Sequence, residues 1–261
     1  MEKRLFLILI LFGVFTSAKA QYTTLNAHSH NDYEQKIPFY LAYNAHFGSI
    51  EADIWAVKEE LFVAHNKSAI DTSKTLDHLY IQPIVELFKK NGGKVSDDPS
   101  YTFQLLIDLK TEVEPTLTLL SEKLKQYPDV FDPAVNINAV RITITGNRPD
   151  PSKFKNYPPF IFFDGNVAKR YDTEQLKRVG IYSENLAVFT TWRGNEPIPV
   201  KEEIRLKQII DSVHGINKKI RFWNAPDTQD AWKTLMNLKV DFINTDHIPE
   251  LSVFLKLIHD R

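Results

Sequence analysis

A (β/α)8 TIM barrel is the fold that the sequence predicts, and three observations predict it. Eight short runs rich in apolar and β-branched residues recur along the chain, longer amphipathic stretches separate many of them, and roughly 240 residues follow the N-terminal segment, the usual size of such a barrel. The runs cover residues 23–27, 49–55, 103–109, 139–145, 160–163, 187–192, 220–223 and 241–245. Strands buried on both faces of a parallel sheet read as nearly continuous apolar segments, as these do. Helical patterning covers residues 37–46, 76–90, 114–126, 173–179, 201–213, 228–238 and 249–258. Pro38, Pro115 and Pro249 stand near helix starts, and Gly92 and Gly180 follow helix ends. An open doubly wound sheet is the rival, but no G-x-G-x-x-G follows the first run, so the usual sign of a dinucleotide site is missing.

The ends and the composition set further bounds. Lys3 and Arg4, the apolar run from Leu5 to Phe15, and Ser17-Ala18-Lys19-Ala20 have the pattern of a secretory signal peptide over residues 1–20. That run is short of the ~20 apolar residues a membrane span needs. The expectation is one barrel domain over residues 21–261, exported to the periplasm or the extracellular space, with no integral membrane segment. The chain has no cysteine, which excludes disulfides, thiolate metal sites and a cysteine nucleophile. With 32 basic and 33 acidic side chains and a net charge of −1, it lacks the footprint of a nucleic-acid binder.

Most runs end in a polar or aromatic residue: His28, Asp53, Asp108, Asp164, Trp192, Trp223 and Asp246. In a barrel the C-terminal strand ends converge on one mouth, where catalysis is placed. Glu51 and Asp53 alternate on one strand face about 6–7 Å apart, and two carboxylates in a confined space call for a cation, a shared proton or hydrogen-bond donors. Asp108 ends the third run as a further oxygen ligand, and Lys110 follows on the same side, suited to a phosphate oxygen. Oxygen ligands favour Mg²⁺ or Ca²⁺ over zinc. His28 and His65 both stand at strand ends, and a histidine's unperturbed pKa of about 6.5 suits proton transfer in both directions. Arg141, on the fourth run, and Trp192, ending the sixth, are expected at the same mouth, as are Asp164 and Asn166.

Taken in order, Ala27-His28, Glu51-x-Asp53, the strand ending in His65, Leu106-Ile107-Asp108-Leu109-Lys110, Arg221-Phe222-Trp223-Asn224 and Asp241-Phe242-Ile243-Asn244-Thr245-Asp246 resemble the phospholipase C-like phosphodiesterase superfamily, which includes glycerophosphodiester phosphodiesterases and sphingomyelinase D enzymes. The resemblance implies one divalent cation on Glu51, Asp53 and Asp108, His28 (with His30 as the alternative) and His65 as the acid/base pair, Lys110 on phosphate and Trp223 at the headgroup. It implies a glycerophosphodiester, lysolipid or related small-molecule or lipid-headgroup substrate. Glycerophosphodiester enzymes carry Arg-Gly after the first histidine, whereas Ser29-His30 follows here. His28-Ser29-His30-Asn31 is similar to the sphingomyelinase D form, which brings Asn31 into the substrate site. Two other readings stand beside this one. His28-x-His30, with His247, resembles the opening of barrel metallohydrolases that hold zinc or manganese by nitrogen, and the mouth would also serve a non-catalytic binder of sugar or lipid phosphate.

Overall fold

The structure, a computed structural model, describes residues 22–259; the leader-like segment lies outside them. Nine strands form one sheet. They are β1 (Ala27–Ser29), β2 (Ser49–Val57), β3 (Glu60–Val63), β4 (Gln104–Leu109), β5 (Arg141–Gly146), β6 (Ile161–Gly165), β7 (Val179–Asn185), β8 (Ile220–Trp223) and β9 (Ile243–Thr245). Eight run parallel in the order β8-β7-β6-β5-β4-β2-β1-β9, while β3 folds back antiparallel on β2. A parallel bridge between Arg221 and Phe242 joins the two ends of that order, so the sheet curls into a nearly closed barrel. The predicted (β/α)8 architecture is therefore the one observed.

The helices that cover the barrel are α1 (Tyr40–Asn44), α2 (Gln82–Lys90), α3 (Val113–Leu124), α4 (Pro128–Phe131), α5 (Thr173–Lys177), α6 (Val200–His214), α7 (Gln229–Asn237) and α8 (Ile248–His259). A π-helical turn, Asp77–Ile81, leads into α2. Local chemistry sets several starts. The Asp172 side chain accepts from the Gln175 N–H at 2.8 Å, and Gln175 reaches back to the Asp172 N–H at 3.0 Å, a reciprocal cap on α5. Thr228 caps α7 by accepting from the Ala231 N–H. Helix α7 buries Ala231, Trp232 and Leu235, one stripe at helical spacing.

Trp232 joins this helix to the mouth. Its ring packs 5.4 Å from Phe254 of α8, and its Nε1 donates to Asp227 at 2.8 Å. The other oxygen of Asp227 accepts from the Thr245 hydroxyl and the Asp246 N–H at the end of β9. Trp232→Ala is expected to cost about 3–5 kcal/mol, because it leaves a large cavity and takes a donor from the part-buried Asp227. Urea unfolding checks this, and a loss under 1 kcal/mol would contradict it.

Two strands differ from the sequence expectation. The first begins four residues later, because Thr23 and Asn26 close a 3-10 turn on each other's backbone N–H groups. The sixth barrel strand is β7, not the run at 187–192. Gly180 lies inside β7, where a Cβ would press on the Thr143 hydroxyl of β5 at 2.7 Å. Asn185 ends β7 by accepting from the Ala187 N–H. The apolar run that follows is a 3-10 turn and a loop whose Phe189 and Trp192 are buried against the core.

Candidate active site

Alternating residues of the barrel strands face inward and stack in levels. Leu106, Ile181 and Phe242 form a small apolar cluster of their own, apart from the main core. Two residues nearer the mouth on the same strands stand Asp108 and Ser183. Above them opens a cleft of about 480 Å³ at the C-terminal strand ends. Its wall includes His30, Asn31, Glu51, Asp53, His65, Asp108, Lys110 and Trp223, gathered from widely separated parts of the chain.

The acidic group is compact. One carboxylate oxygen from each of Glu51, Asp53 and Asp108 lies within 4.8 Å of the other two. The parallel register sets Asp53 directly beside Asp108, and alternation along β2 brings Glu51 to the same face. Glu51 is buried and receives Arg221 Nη1 at 2.5 Å and His28 Nε2 at 2.7 Å. Burial works against its ionised form, but Arg221 and His28 outweigh that and hold its pKa well below the usual range. Asp53 receives the Tyr33 hydroxyl at 2.7 Å and Lys110 Nζ at 3.0 Å. Burial, with the fields of Glu51 and Asp108, pushes its pKa up. Lys110 also meets Asp108 Oδ2 at 2.9 Å. The other oxygen of Asp108, Oδ1, is buried and has no hydrogen-bond partner among the described residues. A buried orphan acceptor costs about 1–3 kcal/mol, and a cation is the natural partner for it. Gly146 makes room for that oxygen: at φ +69° it adopts a conformation open to glycine, and a Cβ there would fall 1.9 Å from Asp108 Oδ1. Three crowded carboxylates and an orphan oxygen fit one hard divalent ion.

The histidines separate into two kinds. His28 faces inward but is fully buried below the cleft, with Nδ1 on the Ser49 hydroxyl at 2.7 Å and Nε2 on Glu51 and Arg221. Burial first, then the Arg221 charge, pushes its pKa down to about 3, so it is neutral. His30, one strand period nearer the mouth, lines the cleft. Its Nδ1 meets Asp246 at 2.9 Å; burial opposes its charged form, but that bond and the field of Glu51 raise its pKa above the ordinary value. His65, half exposed, directs Nδ1 toward Asp53 and the Tyr33 hydroxyl, each at 3.3 Å. Among the described residues, Nε2 of neither His30 nor His65 has a hydrogen-bond partner.

The structure thus brings Glu51, Asp53, Asp108, His65, Lys110, Asn31 and Trp223 together, and sets four expected residues elsewhere. His28 is closed off by Ser49, Glu51 and Arg221, which also prevents a His28-x-His30 nitrogen pair from forming a metal site. Arg141 is the first residue of β5 and stands at the opposite, N-terminal end of the barrel. Trp192 lies on the loop after β7 with Nε1 donating to the Glu196 carbonyl, outside the cleft. His247 pairs loosely with Asp227 at 3.9 Å, also outside it. Residues the sequence reading passed over are Arg221, Arg148, Thr145, Ser183, Glu184 and Asn185. Arg221 had a signal, since it precedes Trp223 by two on a strand; Arg148 had none.

Asp164 ends β6 in the opposite wall, accepting from the Thr145 hydroxyl at 2.8 Å and the Ser183 N–H at 2.7 Å. Burial raises its pKa to about 7, against Arg148 and these donors. An unfolded Asp loses its proton near 3.9, so between about pH 4 and pH 7 the folded state holds the extra proton and stability falls as pH rises. Asp164→Asn is expected to remove this dependence. Denaturant midpoints across pH 4–8 test it: wild type should lose stability relative to the variant by at most about 1.4 kcal/mol per pH unit. A constant difference would contradict the raised pKa.

A parallel barrel with an acidic, histidine-flanked mouth defines a phosphodiesterase-type TIM barrel, and comparison with known proteins gives the family. Residues 16–164 match the AIM6-like phosphodiesterase domain, and residues 219–249 match the glycerophosphoryl diester phosphodiesterase family. The chain belongs to the AIM6-like phosphodiesterase domain family. It is 25% identical over 300 residues to altered inheritance of mitochondria protein 6 of Kluyveromyces lactis, covering 88% of this chain and 72% of that one. It is 29% identical over 246 residues to the protein of that name from Saccharomyces cerevisiae, covering 76% and 61%. Among solved structures, a glycerophosphodiester phosphodiesterase from Parabacteroides distasonis shares the fold, with a TM-score of 0.53 and 14% identity over 90% of this chain and 97% of the other. These relatives correct one expectation. They are named for the inheritance of mitochondria, so the exported location inferred from residues 1–20 does not stand. Among the described residues, no helix is long and apolar enough to cross a membrane.

Proposed function

We propose that the protein is a metal-dependent phosphodiesterase that acts on a small phosphodiester, such as a glycerophosphodiester or a lysolipid headgroup, with His30 and His65 as its acid/base pair. The observation that carries this reading is the meeting of Glu51, Asp53 and Asp108 within 4.8 Å, with one buried oxygen of Asp108 left unpartnered. Those three side chains would hold one Mg²⁺ or Ca²⁺, which supplies charge stabilisation to the phosphoryl oxygens. Lys110, already at the edge of the acidic group, turns its ammonium to a phosphate oxygen.

His65 takes a proton at Nε2 from the attacking water or substrate hydroxyl, its ring set by Asp53 and Tyr33. His30 carries the proton that the departing alkoxide receives, consistent with its raised pKa and its bond to Asp246. Water attack yields a phosphomonoester and an alcohol; attack by a neighbouring hydroxyl yields a cyclic phosphate and the same alcohol. Asn31, beside His30, and Trp223, partly exposed at the rim, contact the substrate. The test is a screen of phosphodiesters with Mg²⁺, Ca²⁺ or chelator present, with products resolved by phosphorus NMR. Divalent-dependent release of a phosphomonoester or cyclic phosphate is expected. Tight binding without turnover under any divalent ion would overturn the reading.

A further inference from the structure

We propose that the opposite end of the barrel carries a second binding site, for a small organic anion with an apolar body, in the cavity that holds Arg141 and Lys219. This cavity has a volume of about 350 Å³ and is built from the N-terminal strand ends, including Gln104, Phe162, Gly180 and Phe242. It shares no lining residue with the cleft at the mouth, and the apolar level of Leu106, Ile181 and Phe242 lies between them. The inference is independent of the chemistry proposed at the mouth.

Charge and shape define the ligand. Among the described residues, two cations and no carboxylate line the cavity. The Arg141 guanidinium lies 5.0 Å from the centre of the Phe162 ring, and the Lys219 ammonium 5.1 Å from that of Phe242. Among the described residues neither cation makes an ion pair or a side-chain hydrogen bond. Their stems and charges are held on aromatic faces with the polar ends uncommitted. Lys218 stands close by with Nζ on the Val179 carbonyl at 2.6 Å. Burial, then the Arg141 charge, lowers its pKa, so this end of the barrel concentrates like charge. Such repulsion works against folding, and the N-terminal face of a barrel ordinarily serves stability. An anion relieves the repulsion.

The walls supply the second half of the recognition. Phe162 and Phe242 are flat apolar faces, and the partly exposed Leu25 and strongly exposed Ile137 border the opening. The missing side chain at Gly180 keeps the floor open beside Thr143. The volume falls at the small end of ligand sites, about 300–1,000 Å³. A phosphate monoester or carboxylate on a ring or short chain fits both the charge and the walls.

Isothermal titration with phenyl phosphate tests this. The titration is run with chelator present, so that the acidic mouth, without a cation, repels the probe. Phenyl phosphate should bind the wild-type protein at least about tenfold more tightly than inorganic phosphate or phenol does. The double variant Arg141→Gln/Lys219→Gln should bind it at least about tenfold more weakly with a thermal midpoint unchanged or slightly raised, since both side chains are exposed and their charges repel Lys218 and each other. Arg141→Lys should keep most of the affinity, and Lys110→Gln at the mouth all of it. Absence of binding, equal affinity in the double variant, or equal affinity for inorganic phosphate would each overturn the proposal.

Discussion

His65→Ala and His30→Ala are each expected to lower phosphodiester turnover by about 10²–10⁴-fold, the usual contribution of a positioned acid or base. Both rings line the cleft, and both present Nε2 without a partner among the described residues. Neither is part of the core, so thermal midpoints should move little. His28→Ala should behave differently. It empties a fully buried position, takes from the Ser49 hydroxyl one of its two side-chain partners and removes a hydrogen bond from Glu51. A stability loss of about 2–4 kcal/mol is the expected signature there. Steady-state rates beside denaturant curves for the three variants separate the roles. If His28→Ala lost turnover with unchanged stability while His30→Ala kept full activity, the assignment of His30 would be wrong.

Asp108→Asn is the second large effect. The amide keeps one oxygen but loses the negative charge and turns the other acceptor into a donor, so divalent affinity should fall by at least about a hundredfold and turnover with it, a loss larger than that of an outer-shell partner. The stability of the cation-free protein should move the other way or not at all. Asp108 is among the charges that push the Asp53 pKa up, and Lys110 keeps its bond to Asp53 at 3.0 Å. Opposite signs for cation affinity and cation-free stability are the mark of a functional rather than a structural carboxylate. Calorimetric cation titration and urea unfolding measure the two. Equal cation affinity in the variant would remove Asp108 from the site.

The residues that were legible in the sequence owe it to strand periodicity. Strands β2 and β4 are apolar runs that carry acids toward the mouth, and the two-residue spacing of Glu51 and Asp53 guarantees a shared face. Parallel register did the rest by setting Asp53 beside Asp108. The misplaced residues follow from what periodicity omits. Arg141 alternates correctly with Thr143 and Thr145, but it is the first residue of its strand, and parallel strands all point their first residues away from the mouth. Strand β7 escaped notice because its mouth end, Ser183-Glu184-Asn185, is polar wherever it serves the cleft, and Gly180 reads as a helix stop. The buried loop around Trp192 took its place, since an apolar run packs as well in a loop as in a strand. His28 and His30 differ by one strand period, and only the late start of β1, set by the Thr23–Asn26 turn, decides which reaches the cleft.

The central claim is that Glu51, Asp53 and Asp108 grip one divalent ion. Anomalous diffraction from crystals soaked in Mn²⁺, an oxygen-seeking stand-in for Mg²⁺, tests it most directly. One peak within bonding distance of all three carboxylates is expected, lost in Asp108→Asn. A peak on histidine nitrogens, or none at the mouth at saturating Mn²⁺, would contradict it.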